Sequence, residues 1–344
     1  MYRILKRYSM VVLAAGYLVS ASAHAEEQHL KVQYYGGIVH ELTLYVAVAE
    51  GIFKKHGLDV ELVSMNSGPA ALAALSGGSV DIAVGNPDIM ITGLQGGLDL
   101  KAVCAGSGPF FEMVGTSAFS PGPYPEVMKQ VVGKKMGVTA LGASGQFFAD
   151  ALLEGAGLPK DSLNYVAVGT LTAVEAMQNR RIDLYMSFEP VTTLLIDTTG
   201  AKLLWTLASG QGPELLTKLG VGLIWFTKTD NLTKNPAPYQ AFARSLEEAK
   251  TFASNPSNAN KVADDVIKLA GVNTKTLPHG DDSLRDVIKN KLLRVHAVSA
   301  FTADEAAAWL RYMQKYTRDV LKGAYANQDP RQIMADKVWP QGCK

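Results

Sequence analysis

The chain has 344 residues, 47% of them hydrophobic and 19% charged, with 33 basic side chains against 32 acidic ones. A chain of this length can form two hydrophobic cores, because single cores stop growing beyond roughly 250 to 300 residues. The balanced charge argues against a nucleic-acid partner, whose binding needs a basic surface.

The first 25 residues have the pattern of a secretory signal peptide. Three basic residues precede an apolar run over residues 10–19, and an Ala-His-Ala triplet ends at Ala25, where we expect cleavage. The run is too short to cross a bilayer, and no later segment reaches the roughly 20 apolar residues of a membrane helix. No cysteine directly follows the cleavage site, so we expect a periplasmic protein without a lipid anchor.

A pattern of helix, tight turn and buried strand occurs twice. Residues 71–84 and 173–186 match at apolar positions and at one aspartate, 102 positions apart. The helical part spaces its apolar residues by three and four, and the strand part is a short apolar run. Candidate first strands precede the copies at 30–35 and 135–139. Two such β-α-β-α-β units predict an α/β fold of two lobes, each a mainly parallel sheet flanked by helices.

The lobe boundaries are predicted from two strands that carry the chain between the lobes. The runs 111–116 and 221–227 are candidate hinge strands beside glycines. Lobe 1 is then expected to comprise residues 26–110 and about 228–344, and lobe 2 about 111–227.

Helical patterns dominate the chain after residue 235. They cover 238–254, 258–270, 281–297 and 302–321, and we expect them to form an outer layer on lobe 1. Thr302 and Glu305 have the spacing of a capping box. Cys104 and Cys343 are the only cysteines, and the sequence leaves open whether they pair.

Three short motifs carry a family resemblance. They are the Gly-Ile-Phe of 51–53, the Gly-Leu-Asp-Val of 57–60 and the Gly-Ser-Val-Asp-Ile of 78–82. With the helix start at Ser144 and Gly145, they give the stretch from 29 to 320 an order that resembles periplasmic substrate-binding proteins of ABC importers for sulfonates, taurine, nitrate and thiamine-type pyrimidines. The resemblance implies a type II, two-lobe flytrap that closes on a small-molecule ligand and docks on a membrane permease.

Helix starts and strand ends of both lobes are expected to face the cleft, where backbone N–H groups bind anions. The candidate ligand-binding residues at helix starts are Ser67, Gly68, Ser144, Gly145, Gln146 and Thr170. Capping of their own helices, worth about 1 kcal/mol, is the alternative role of the serines and the threonine.

Five further residues complete the predicted ligand site. Asn86 and Glu189 follow equivalent strands, and a glutamate beside an anion site suits a zwitterion such as taurine, although surface glutamates are usually solvated. Tyr35 and Phe111, with Phe110 beside them, are candidates for an aromatic wall, and hinge or core packing is the alternative role for at least one of the two phenylalanines. His40 is a candidate ligand donor, and the zinc-protease motif that it would begin lacks its second histidine.

These observations predict a monomeric binding protein without enzymatic activity, cofactor or metal. Sulfonate or taurine ranks first as the ligand, an aromatic carboxylate or sulfonate second, and nitrate or a thiamine-type pyrimidine third. A sensory module that presents its ligand to a membrane receptor is the main alternative. An enzyme related to pyrimidine synthesis is another, but the resemblance there requires a cysteine-rich motif that this chain lacks.

Overall fold

The computed structural model describes residues 27–276, 279–292 and 302–316. The predicted signal peptide and Cys343 lie outside the described residues, so cleavage and cysteine pairing stay predictions. Cys104 is buried in a strand of the first sheet. No helix in the described part of the chain is both long and apolar enough to span a membrane.

Two sheets of identical strand order form the centre of the protein. Within the described residues the strands are β1 (Gln28–Tyr35), β2 (Leu58–Met65), β3 (Ala83–Gly85), β4 (Leu100–Ser107), β5 (Glu112–Gly115), β6 (Lys135–Val138), β7 (Asn164–Ala167), β8 (Leu184–Ser187), β9 (Lys202–Thr206) and β10 (Leu223–Lys228).

The first sheet has the order β2-β1-β3-β10-β4, in which a parallel bridge from Val32 to Ile82 links β1 to β3. The second sheet has the order β7-β6-β8-β5-β9. In each sheet the fourth strand is antiparallel to both of its neighbours, while the other four strands share one direction. The predicted α/β fold of two lobes with mainly parallel sheets is confirmed, and we call the two sheets with their helices lobe 1 and lobe 2.

The antiparallel strands are the two predicted hinge strands. β5 follows β4 along the chain but joins lobe 2, and β10 returns the chain to the centre of lobe 1. The two chain segments that pass between the lobes touch, because the N–H of Gly222 donates to the carbonyl oxygen of Ser107 over 2.7 Å. A Cβ atom at Gly222 would lie 2.0 Å from the carbonyl oxygen of Gly108, so this close backbone approach requires glycine. The exact lobe boundaries stay a prediction.

Helices cover both sheets. The α-helices among the described residues are α1 (Leu42–Ala49), α2 (Ile52–Lys55), α3 (Gly68–Ser76), α4 (Pro87–Gln95), α5 (Ser144–Gly155), α6 (Ala173–Gln178), α7 (Val191–Thr199), α8 (Glu214–Thr217), α9 (Thr229–Lys234), α10 (Ala237–Ser254), α11 (Ala259–Leu269), α12 (Asp281–Val287) and α13 (Ala303–Tyr316). A π-helical segment (Ile288–Leu292) and short 3₁₀ helices lie between them.

The central elements of lobe 1 are apolar throughout because other elements cover them on all sides. Helix α1 packs under α10 and α11, so Tyr45 on α1 is fully buried. Trp225 of β10 and Phe242 of α10 meet at 5.3 Å between ring centroids, and Phe242 stacks on Phe53 at 5.5 Å. A strand covered on both faces has no solvent side, so β10 lacks polar alternation.

The last described helix, α13, extends beyond the outer layer that was expected on lobe 1. It packs against α4 of lobe 1 and against α5 and α8 of lobe 2. Its Trp309 donates from Nε1 to the carbonyl oxygen of Val221, over 3.2 Å, beside the second passage between the lobes. The amphipathic pattern predicted the helix, but the sequence alone did not reveal which surface it would cover.

The capping box at the start of α13 forms only in part. The N–H of Glu305 donates to Thr302 Oγ1 over 3.2 Å, as the spacing predicts. The Glu305 carboxylate instead accepts a hydrogen bond from the N–H of Gly220 over 3.1 Å. Glu305 therefore ties the helix to the passage between the lobes.

We expect Glu305→Ala to lower the melting temperature by about 1–2 °C, because the loss of such a bond costs about 1 kcal/mol and the unfolding entropy of a chain of this length is about 0.7 kcal/mol/K. Differential scanning calorimetry measures this shift. Glu305→Gln keeps an acceptor oxygen of the same reach and is expected to recover most of the loss. Equal melting temperatures for the alanine and glutamine variants would show that the bond to Gly220 contributes nothing.

Candidate functional site

A cavity lies between the two lobes, with an empty volume of about 530 Å³, part of which opens to solvent. The lining comes from both lobes and consists of Tyr35, Ile38, Asn66, Ser67, Gly68, Asn86, Ile89, Phe110, Phe111, Thr139, Ala143, Ser144, Gly145, Thr170, Met186, Phe188 and Leu223. None of these side chains carries a full charge at neutral pH. In the described part of the chain, no three His, Cys, Asp or Glu residues converge to hold a metal ion.

Three helices begin at this cavity. Ser67 precedes α3, Asn86 precedes α4, and α5 starts with Ser144 and Gly145. The first N–H groups of a helix have no partner within it and carry a partial positive charge, so the three starts make an anion-binding environment.

Self-capping does not explain the polar residues at these helix starts. Neither Ser67 nor Asn86 caps its own helix with a side-chain hydrogen bond. The N-cap of α5 is Ala143, so Ser144 is the first helical residue and its hydroxyl turns elsewhere. In the described part of the chain, the buried Nδ2 donor of Asn86 has no hydrogen-bond partner. The Asn86 amide therefore leaves a donor for a molecule in the cavity.

Aromatic rings form another wall of the cavity. Phe110 and Phe111 stack at 5.1 Å, and Phe188 meets each of them edge-on at 6.0 Å. Phe111 also stacks on Phe148 at 4.5 Å, so it both lines the cavity and packs into the core, while its contact with a ligand stays a prediction. His40 stacks on Phe110 at 4.1 Å and is buried behind it.

Tyr35 is held at the cavity by two groups. Its hydroxyl donates to the carbonyl oxygen of Val84 over 2.9 Å, and its backbone N–H donates to the carboxylate of Glu41 at 3.1 and 3.2 Å. The hydroxyl of Tyr45 also donates to Glu41, over 3.3 Å. Burial raises the pKa of Glu41 well above its usual range, and these hydrogen bonds partly oppose that rise. The sequence places Glu41 at a helix start near the pocket, but nothing local shows that its side chain turns back to β1.

Asp88 lies beside the lining, fully buried in the first turn of α4. Its Oδ1 accepts a hydrogen bond from the hydroxyl of Ser144 over 3.0 Å, across the boundary between the lobes. In the described part of the chain, Oδ2 has no hydrogen-bond partner. Burial raises the pKa of Asp88 to about 7, against a smaller opposing effect of the Ser144 hydrogen bond.

Eight of the eleven predicted ligand residues line the cavity; they are Tyr35, Ser67, Gly68, Asn86, Phe111, Ser144, Gly145 and Thr170. His40, Gln146 and Glu189 are not among the lining residues. The Gln146 side chain accepts from the N–H of Gly142 over 2.9 Å and shapes the loop before α5. The Glu189 carboxylate is buried and accepts from the N–H and the hydroxyl of Thr193, both over 3.2 Å. Glu189 is thus not the solvated surface residue considered as its alternative, and ligand contact by all eleven stays a prediction.

The predicted set omitted several lining residues. Asn66, Thr139 and Phe188 each directly follow a strand, so the rule that selected Asn86 also points to them. Ile38 and Leu223 are apolar residues in apolar surroundings, and no sequence signal distinguishes them from core residues.

Over most of its length the chain resembles solved periplasmic binding proteins. The periplasmic aliphatic sulphonate binding protein of Escherichia coli is 18% identical with a TM-score of 0.68, covering 89% of this chain and 92% of that one. The periplasmic nitrate-binding protein of Synechocystis PCC 6803 is 15% identical with a TM-score of 0.70, covering 92% of this chain and 88% of that one. The fold is therefore that of a periplasmic binding protein, as the sequence predicted.

The sequence also identifies the family of the chain. The family described as NMT1/THI5 like matches residues 40–259, and the chain belongs to it. A relative from Brucella abortus, whose name describes it only in general terms as a binding protein, is 23% identical over 269 residues, which are 78% of this chain and 80% of that protein.

Proposed function

We propose that the chain is the substrate-binding component of an ABC-type importer, and that it captures a small organic acid in the periplasm for a membrane permease. The family and the fold support this assignment, as do the printed functions of the sulphonate-binding and nitrate-binding neighbours. The signal-peptide pattern of the first 25 residues supports export. In this role the chain binds its ligand without transforming it.

We infer the class of ligand from three helix starts that lie beside an aromatic wall in one cavity. The N–H groups at the starts of α3, α4 and α5, together with the Asn86 amide, can hold an anionic group without a charged side chain. The rings of Phe110, Phe111 and Phe188 offer apolar surface to the rest of the molecule. The cavity therefore suits a sulfonate or carboxylate with an apolar or aromatic body.

Two other ligands fit these contacts less well. Nitrate has no apolar body and would leave the aromatic wall uncovered. Taurine carries an ammonium group that needs a carboxylate partner, whereas Glu189 is bonded to Thr193 and is not among the lining residues. We therefore rank an apolar or aromatic sulfonate above taurine.

A thermal-shift screen of residues 26–344 tests the proposal. The compounds are benzenesulfonate, an alkanesulfonate, benzoate, taurine, nitrate and a hydroxymethylpyrimidine. A ligand at 100 times its Kd adds about 2.7 kcal/mol to the free energy of unfolding. We expect a clear shift with an apolar or aromatic acid and little with taurine or nitrate. A shift with taurine or nitrate alone would contradict the proposed ligand class, and no shift with any acid would contradict acid binding.

A further inference from the structure

A side-chain hydrogen bond joins the two lobes beside the cavity. Ser144 opens α5, which packs on β8 of lobe 2, and its hydroxyl donates to the carboxyl group of Asp88 over 3.0 Å. Asp88 lies in the first turn of α4, which packs on β3, β4 and β10 of lobe 1. This bond therefore exists only while the two helix starts are together.

The bond forms where water is excluded. Asp88 is 0% exposed and Ser144 is 6% exposed. A buried carboxyl group is costly unless it is hydrogen-bonded, and in the described residues only one of the two Asp88 oxygens lacks a partner. Opening of the cleft would break the bond and leave the carboxyl group without this partner. The Ser144 hydroxyl thus stabilises the arrangement in which the two helix starts are together.

We propose that the Ser144 hydroxyl and the Asp88 carboxyl group form a latch that holds the two lobes closed. The inference rests on the proposed function, because closure over a ligand is what the latch serves. Ser144 then has two roles. The hydroxyl of Ser144 binds Asp88, while its backbone N–H stays at the cavity for the acid.

The latch sets a population of closed protein, so it can be measured through the shape of the molecule. Small-angle X-ray scattering compares wild type with Ser144→Ala, which removes the hydroxyl, and Ser144→Thr, which keeps one. A matched control is Thr192→Val, because the Thr192 hydroxyl donates to Ser187 over 3.0 Å, equally buried but within lobe 2. Each protein is measured alone and with benzenesulfonate, benzoate or taurine, and circular dichroism checks the fold.

We expect Ser144→Ala to have a larger radius of gyration than wild type in at least one of these conditions. Thr192→Val is expected to match wild type throughout, and Ser144→Thr, which keeps the hydroxyl, is expected to match it in the absence of the acids. Indistinguishable scattering of Ser144→Ala and wild type would overturn the latch, and so would a wild type that stays open in every condition. If no acid shifts the melting temperature but Ser144→Ala still opens the protein, the proposed function fails while the latch stands.

Discussion

Ser144→Pro is expected to weaken binding of the acid by about 100-fold while it leaves the fold intact. Hydrogen bonds to charged groups contribute about 1.5–3 kcal/mol each, and proline removes both the N–H donor at the cavity and the hydroxyl of the latch. Helices accept proline at their first position, where the N–H has no helical partner. Ala143, before it, has the extended conformation (φ −82°, ψ 159°) that a following proline requires.

Isothermal titration calorimetry with the acid selected by the thermal-shift screen measures this loss. Glu214→Pro is the matched control, because Glu214 is the first residue of α8, exposed and outside the cavity, and it follows an extended proline. Ser144→Ala separates the contributions of these two groups to binding, since it keeps the N–H and removes only the hydroxyl. Tight binding by Ser144→Pro would show that the start of α5 does not hold the anion.

Asp88 is expected to make the stability of the closed protein depend on pH. Burial raises its pKa from the ordinary value of 3.8 to about 7, so between these values the folded protein holds a proton that the unfolded chain releases. The free energy of unfolding should fall as the pH rises through this window, by about 4 kcal/mol in total, and level off above pH 7. Asp88→Asn is neutral at every pH and lacks this contribution.

Urea unfolding of wild type and Asp88→Asn between about pH 4.5 and pH 8 measures the effect. The difference between the two proteins isolates Asp88, because other buried carboxyl groups, such as Glu41 and Asp150, are present in both. The asparagine variant keeps an oxygen that can accept the Ser144 hydroxyl, so the latch itself is preserved. If the free energies of unfolding of the two proteins depend equally on pH across the whole range, Asp88 is not buried in solution as it is in this structure.

The duplicated pattern predicted most of the architecture because it rests on local periodicity. The two copies became α3 with β3 and α6 with β8, in sheets of the same strand order. The predicted helix at 238–254 is observed as Ala237–Ser254. The path of α13 could not be predicted, because an amphipathic face shows that a helix is covered but not by which lobe.

The cavity lining was predictable where it follows from strand ends and helix starts, as at Ser67, Asn86 and Ser144. Contacts between distant side chains were not predictable. Asp88 and Ser144 are 56 positions apart, and only the arrangement of the two lobes brings them together. The contact of the Glu189 side chain with the first turn of α7 was not predicted either, because base rates for surface glutamates favoured a solvated side chain.

The central claim is that an organic acid binds at the helix starts between the lobes. A crystal structure of residues 26–344 with the acid that gives the largest thermal shift tests it most directly. We predict that the sulfonate or carboxylate oxygens lie about 3 Å from backbone N–H groups at the starts of α3 and α5, with the apolar part against Phe110 and Phe188. An acid group bound away from these helix starts, or a molecule outside the cavity, would contradict the account.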